Sequence, residues 1–452
     1  MMRSLYSGVS GMINHQIRMD VVGNNVSNVN TIGFKKGRVN FQDLVSQMIS
    51  GAAKPNEEVG GVNPKQVGLG MLVATIDTIH TQGSLQVTAK KTDCAVNGDG
   101  FFILKAGDNT LYTRAGAFEI DKDGTLVNPA NGMRVQGWSP ETINGETRIN
   151  KSNQIGDLQI PIYGKEIPKA TEFVTYKCNL DQRTLPPPQG QAHTTTIDVF
   201  DSLGNTHQLR LEFTKIPETT NEWQVQTYID NLSPLARVRP EEEGAAVARA
   251  GTEEDELDTF RIQFDTQGRI ISAIDANGQT VDAGMLNMNL LLDIPGANQL
   301  NFDLRLGNSG MFDGITQEAK TTTTKAREQD GYSLGYLEDF EIDQNGIITG
   351  VYSNGQRRDL GQLALATFTN PSGLEKAGET NFVVSNNSGA AIVGASNTEG
   401  KGTIHSGSLE MSNVDLTETF VDMIVTQRGF QANSRSITTS DQMLQEVLSL
   451  KR

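Results

Sequence analysis

Hydrophobic positions along the chain follow two different periods. At the N-terminus Leu5, Val9, Met12, Gln16, Met19, Gly23 and Val26 recur at alternating steps of four and three, the a/d seam of a heptad. The same spacing runs longer at the C-terminus, through Leu416, Phe420, Met423, Gln427, Phe430, Ser434, Ile437, Asp441, Leu444 and Leu448. Ser412 and Asp415 offer a capping box ahead of it. No proline interrupts either run, so an amphipathic helix is predicted at each end. Both seams are broken by polar or glycine positions, among them Gln16, Gly23, Gln427, Ser434 and Asp441. Such helices are marginal alone, because most helical stability comes from packing. The pattern therefore predicts helices that complete themselves against neighbouring copies and are disordered in a dilute monomer.

Between the ends the period falls to two. The stretch 94–138, with NGDGFFIL, LYTRAGAF and FEIDKDGTLV, reads as short strands joined at Asn97-Gly98, Asp99-Gly100 and Asp123-Gly124. Downstream, 340–349 reads FEIDQNGIIT. Weaker relatives are FDTQGRII at 264–271 and VFDSLG at 199–204. The carboxylates of Asp121 and Asp123 do not make a calcium loop, since the further oxygen ligands and the closing glutamate are missing, and these are read as hairpin turns. The two strongest copies bracket the middle of the chain, which suggests nesting.

The predicted fold class is mainly β, with β domains inserted into one another and N- and C-terminal coiled-coil helices paired. The expected segments are a helical segment at 1–32, a connection at 33–90, a first β domain at 91–170 and 326–405, an inserted outer β domain at 171–325, and a helical segment at 406–452. Leu185-Pro186-Pro187-Pro188 marks a stiff bend near the start of the insert, and an acidic stretch at 240–258 reads as a solvated loop.

The 452 residues are enough for several cores. A net charge of -16, with no large basic cluster, disfavours nucleic acid or an anionic membrane as partner. No run approaches the length of a membrane span, and the N-terminus lacks the apolar core of a cleaved signal. Two cysteines and five histidines, scattered, give neither a disulfide framework nor a metal site, and no cofactor is expected. Nucleophile elbow, phosphate loop and metalloprotease helix are absent, so an enzyme is not predicted. A β-rich adhesin or carbohydrate-binding module is the second structural class.

The run Gly23-Asn24-Asn25-Val26-Ser27-Asn28-Val29-Asn30-Thr31-Ile32-Gly33-Phe34-Lys35 resembles the N-terminal signature of the bacterial flagellar rod and hook axial family. Ser412-Asn413-Val414-Asp415-Leu416 and the run from Met423 to Asn433 resemble its C-terminal partner. Asn97-Gly98-Asp99-Gly100-Phe101-Phe102 and the run from Tyr112 to Phe118 fit its first β domain. The inserted middle domain points, within the family, to the hook branch. A distal rod or hook-associated component is the nearest alternative.

The resemblance implies a subunit that leaves the cell unfolded through the flagellar type III export apparatus and polymerises with itself beneath a hook cap. The resulting curved tube would pass torque between rod and hook-associated proteins. Leu5, Val9, Met12, Met19, Val26, Leu416, Phe420, Met423, Phe430, Ile437, Leu444 and Leu448 would carry polymerisation. The asparagine cluster at 24–28 is expected to end the first helix through local side-chain bonds, and Gly33 to adopt an unusual backbone angle. Lys35, Lys36 and Arg38 read equally as a solvated turn or as a contact with acidic neighbours.

Of the cysteines, Cys94 reads as a buried small hydrophobe. Cys178 lies between Lys177 and Asn179, downstream of Lys165 and Lys169, and nearby cations favour a thiolate. The resemblance extends to spirochaete-type hook proteins, which join subunits through lysinoalanine. It implies Cys178 as the modified cysteine, Lys165 as the lysine and Asn179 as a supporting neighbour, in a periplasmic flagellum.

Overall fold

The computed structural model describes residues 2–450, without 53, 55–59, 144–145, 189, 218–220, 230–258, 275–279, 282–284, 293–299 and 324–325. The acidic stretch expected at 240–258 lies outside the described residues. The chain divides into two compact units. The first comprises 1–162, 339–351 and 357–452, and the second 163–338 with 352–356. The first unit is thus built from separated stretches of chain. Its main sheet sets the strand Arg357–Thr367 beside Arg134–Trp138, then Phe101–Ala106, Asn109–Thr113, Asn381–Val383 and Glu375–Gly378. Phe101, Ile103, Tyr112, Trp138, Ala364, Ala366 and Phe382 face its core.

The second unit carries a six-stranded antiparallel sheet running in chain order from His193–Phe200 to Thr280–Val281. A four-stranded sheet has the order Met285–Leu292, Leu300–Asn308, Phe173–Tyr176, Ala326–Gln329. Alternation decides what is inside. Leu209, Leu211 and Phe213 point inward from Thr206–Lys215, while Val174, Tyr176, Cys178 and Leu180 do so from the stretch that holds the cysteine.

The recurring turns are one device used four times. Asp121, Asp201, Asp265 and Asp343 each accept at the carbonyl from the amide of the glycine three residues on, at 2.8–3.1 Å. Each donates its own amide to the carbonyl four residues on, at 2.8–3.1 Å. Gly124, Gly204, Gly268 and Gly346 all sit at positive φ, 72–86°, which closes the hairpin without a Cβ penalty.

Helices α1 (Met2–Ser27) and α2 (Leu416–Ser449) form at the two ends and pack together. Helix α2 starts at Leu416. Its cap is Asp415 alone, whose carboxylate accepts from the Thr417 and Glu418 amides, and the expected Ser412 box does not form because the Ser412 hydroxyl accepts from the Val414 amide instead. Helix α1 ends as its asparagines dictate. The Asn28 side chain donates back to the Asn24 carbonyl at 2.9 Å, and Ser27 to that of Gly23 at 2.9 Å.

Candidate functional site

The closest approach of α1 and α2 is made by small and polar residues. On α1 the buried glycines Gly8 and Gly11 face α2, whose own buried positions are Thr419, Thr426 and Ser440, whereas Asn14 and Asn25 are buried against the neighbouring strands, donating to the Met71 carbonyl at 2.6 Å and the Gly37 carbonyl at 2.8 Å. The backbones approach closely here. A Cβ on Gly11 would stand 2.5 Å from the Asn433 side chain, and one on Gly429 would stand 2.8 Å from the His15 ring. Polar pairs finish the seam: Ser4 and Ser440 hydroxyls at 3.2 Å, and Arg18 with Asp422 at 3.0 Å.

The heptad residues are only partly covered: Leu5, Met12, Met19, Val26, Met423, Ile437 and Leu444 are half-buried, and Val9, Leu416, Phe420, Phe430 and Leu448 are exposed. Phe420, Val421, Ile424 and Val425 are each about half exposed on successive turns of α2, at 49–56%. Only Ile437 among these lies against the opposite helix near a glycine, with Gly8 as its neighbour.

Immediately beyond the helices the character reverses. Gly33, at φ 69°, donates its amide to the Glu410 carbonyl at 2.8 Å and admits the backbone at Arg114 and Ala115. That delivers Lys35 into the interior. Its ammonium meets the Glu410 carboxylate at 2.6 Å with both side chains fully buried, and also donates to the Thr81 carbonyl at 2.8 Å. The same carboxylate accepts from the Gly83 amide at 2.9 Å and faces the Arg114 guanidinium at 3.4 Å.

The solvated-turn and neighbour-contact readings of Lys35 are therefore both corrected. Lys36, by contrast, pairs with Glu418 at 2.9 Å near the surface, and Arg38 reaches Asp77 at 3.5 Å. Burial pulls the Lys35 pKa down, and the Glu410 charge opposes that. His80 stacks edge-on to Phe101 with both ring nitrogens shut from solvent and unpartnered. Burial, then the charges of Lys35, Arg114 and Lys376, push its pKa down to about 4.

Glu410, Arg114 and His80 were not singled out by sequence reasoning. The available signal was a lone acid in Ser408-Leu409-Glu410 and a lone base in Thr113-Arg114-Ala115, each inside a run of small or apolar residues.

Cys94 is fully buried, as expected, with its thiol pushed up to about 12 by burial. The expected thiolate character of Cys178 is not present in this state. Cys178 is 4% exposed in the core of the second unit, and burial pushes its thiol up to about 12 as well. The reason is the pleat. Lys177 occupies the opposite face and is exposed, while Lys169 is tied to Asp330 at 2.7 Å.

Asn179 grips the neighbouring segment from both ends of its amide. Its oxygen accepts from the Glu318 amide at 2.8 Å, and its nitrogen donates to the Lys320 carbonyl at 3.1 Å. The Cys178 carbonyl accepts from the Thr316 amide at 2.9 Å. Lys165 is exposed, its ammonium 5.8 Å from the Tyr336 ring centre. The structure does not bring Lys165 and Cys178 together. They lie toward opposite ends of one antiparallel course, with Lys165 opposite Tyr336, Lys169 opposite Tyr332, Val174 opposite Gln329 and Asn179 opposite Thr323. Thirteen residue steps of chain separate the two positions, a path of at most about 43 Å at ~3.3 Å per residue.

Among the described residues no group of potential ligands could hold a metal ion, and no helix is long and apolar enough to cross a membrane.

Four family models match the chain: flagella basal body rod protein at 5–35, flagellar hook protein FlgE/F/G D1 domain at 95–172, flagellar basal body protein FlaE D2 domain at 179–332, and flagellar basal body rod FlgEFG protein C-terminal at 405–450. The chain is 53% identical to the flagellar hook protein FlgE of Treponema pallidum and 52% identical to that of Borreliella burgdorferi, with all of each chain covered in both cases. The crystal structure of Helicobacter pylori flagellar hook protein FlgE2 shares its fold, at a TM-score of 0.50 and 17% identity over 72% of this chain and all of that one.

Proposed function

The chain belongs to the flagellar hook protein family, and on that premise we propose how its surfaces carry out the work of a hook subunit. It is a structural component of the flagellar hook and not an enzyme. The carrying observation is the inverted α1–α2 pair, whose small and polar residues face each other while Phe420, Val421, Ile424 and Val425 face outward. In the polymer these outward residues and the rest of the heptad stripe pack against neighbouring copies. A head-to-tail contact of this kind propagates as an open helix instead of closing into a ring.

The inner tube of helices then holds, and the outer β units slide over one another as the tube bends and transmits torque. Rod and hook-associated axial proteins extend the same helical contacts at the two ends of the hook. The subunit travels through the flagellar export apparatus and adds beneath a hook cap. The assembled hook lies in the periplasm, as the resemblance to spirochaete-type hook proteins implies. Electron microscopy of polymer from the full chain tests the reading: a curved tube is expected, and a Val421→Ser, Val425→Ser chain that still forms tubes overturns the role of the outward face.

A covalent link between subunits joins Cys178 of one chain to Lys165 of another. Loss of the Cα proton and of the sulfur, as hydrogen sulfide, converts Cys178 to dehydroalanine. The neutral amine of Lys165 adds to the β carbon and a proton returns to Cα, giving lysinoalanine with no oxidant consumed. The distance between the two residues within a chain supports a bond between chains. The buried, protonated thiol supports a reaction that waits for assembly to open the site, with Asn179 holding the peptide in place. Boiling the polymer in detergent with reductant tests it: a ladder of covalent oligomers is expected, and release of monomer alone overturns it.

A further inference from the structure

The peptide that follows Cys178 is bonded at both of its polar ends. The strand Asn179–Asp181 runs parallel to Thr316–Glu318, with Asn179 opposite Thr316. The Thr316 amide donates to the Cys178 carbonyl at 2.9 Å, and the Thr316 hydroxyl stands 3.5 Å from that same oxygen. At the other end of the peptide the Asn179 amide donates to the Thr323 hydroxyl at 3.3 Å. One residue thus aims two donors at the carbonyl next to the Cys178 Cα.

Strand pairing needs only the first of these donors. A valine at this position would have nearly the same shape, the same backbone amide and a comparable preference for a strand, so the hydroxyl adds nothing to the ladder. Asn179 keeps the hydroxyl in place. Its side-chain oxygen accepts from the Glu318 amide at 2.8 Å and lies 3.5 Å from the Thr316 hydroxyl, which therefore sits between that oxygen and the Cys178 carbonyl.

We propose that Thr316 is a catalytic residue of the crosslinking reaction, its amide and hydroxyl stabilising the enolate that develops on the Cys178 carbonyl oxygen. This rests on the crosslink reading given above and deepens it. Both steps place negative charge on that oxygen. In the elimination the Cα proton passes to solvent hydroxide and its electron pair moves onto the carbonyl oxygen. The return of that pair forms the Cα–Cβ double bond and breaks the Cβ–S bond; hydrosulfide leaves and takes a proton from water, which restores the hydroxide. In the addition the Lys165 lone pair forms the N–Cβ bond, the double-bond pair moves onto the same oxygen, and the proton shed by nitrogen is returned at Cα. No oxidant or reductant enters. Donors already in place where charge develops lower the barrier without reorganisation. The buried, protonated thiol suits this route, since it leaves as hydrosulfide where a thiolate would have to leave as a sulfide dianion.

The test isolates the first step in polymer of the full chain carrying Lys165→Ala. Without that amine the reaction is expected to stop at dehydroalanine, read by mass spectrometry as loss of one hydrogen sulfide from the peptide that holds position 178. Adding Thr316→Val is expected to slow this loss about tenfold or more, while Thr316→Ser, which keeps the hydroxyl and gives up the methyl group, stays within about threefold of the Lys165→Ala polymer. With Lys165 restored, the covalent ladder is expected to form in the same order of rates. Dehydroalanine that appears equally fast with Thr316→Val removes Thr316 from the reaction and leaves the crosslink standing. A Thr316→Ser polymer as slow as Thr316→Val also overturns the proposal, because it marks a packing effect. Parent polymer that yields neither dehydroalanine nor lysinoalanine overturns both this role and the crosslink.

Discussion

The terminal helix pair and the second β unit treat hydrophobic side chains in opposite ways. In the β unit the inward positions, Val174, Tyr176, Leu180, Leu211, Phe213, Trp223 and Phe302, are at most 2% exposed. In the helix pair Gly8, Gly11, Thr426 and Ser440 are buried, while Phe420, Val421, Ile424 and Val425 are left about half exposed. Burial of apolar area is the main favourable term in folding. The β unit therefore has what it needs within one chain, whereas the helices leave part of their apolar area open in one chain. The period-two segments bury their apolar side chains within the chain, and the heptad segments leave part of theirs for the contacts proposed above.

The largest effects are expected where the chain is self-sufficient. Phe302→Ala leaves a cavity in the second unit and is expected to lower its stability by about 3–5 kcal/mol. The two tryptophans allow the units to be followed separately, since Trp138 lies in the first and Trp223 in the second. Denaturant unfolding read from Trp223 in a Trp138→Phe background is expected to shift strongly. The complementary probe, Trp138 in a Trp223→Phe background, is expected to stay put; a joint shift breaks the comparison.

Glu410→Gln belongs to the same class. It removes the carboxylate from between two buried cations, Lys35 and Arg114, and breaking such a buried pair costs about 3–5 kcal/mol. The loss is expected in the Trp138 transition. The charged knot is thus the firm anchor directly beside the unsatisfied helices, and a Glu410→Gln protein with unchanged unfolding would show that it is not.

A smaller effect follows from His80. Its folded pKa, about 4, lies below the ordinary 6.5, so the folded ring is neutral over a range where the unfolded ring takes a proton. As pH falls from about 6.5 toward 4 the unfolded state binds more protons, and stability of the first unit drops by something on the order of 3 kcal/mol. His80→Phe keeps an aromatic ring against Phe101, edge-on, and against the tilted ring of Phe382. It is expected to flatten this slope, measured as the denaturation midpoint from pH 7 to pH 4; an equal slope in both proteins removes His80 as its cause.

How much of this was legible from residues alone depended on whether the signal was local. The heptads announced both helices, and the four Asp-x-x-Gly turns announced the hairpins, because left-handed glycines and the aspartate turn are dictated within five residues. The partner of Lys35 was not legible. Glu410 is 375 positions away, and a lysine followed by another lysine reads as surface. The helix–helix seam was hidden for a different reason: Gly8, Gly11, Thr426 and Gly429 carry no hydrophobic signal, and the visible stripe marked residues that the single chain covers only in part. Cys178 misled because a strand places sequence neighbours on opposite faces, which removed Lys177 from its surroundings.

The smallest expected change in the monomer is the most discriminating. Val425 is 55% exposed on α2, and a substitution at such a site leaves monomer stability within about 0.5 kcal/mol. Val425→Ser together with Val421→Ser is therefore expected to unfold like the parent by both tryptophans and to fail as a polymer. Amide exchange sharpens the point. In dilute parent monomer the α2 amides, held by a seam of small residues, are expected to exchange far faster than those of Thr206–Lys215, and to become protected only on polymerisation. Strong α2 protection in the monomer would mean that the small-residue seam suffices by itself, and the outward apolar face would then have to be explained by something other than the helices' need for neighbours.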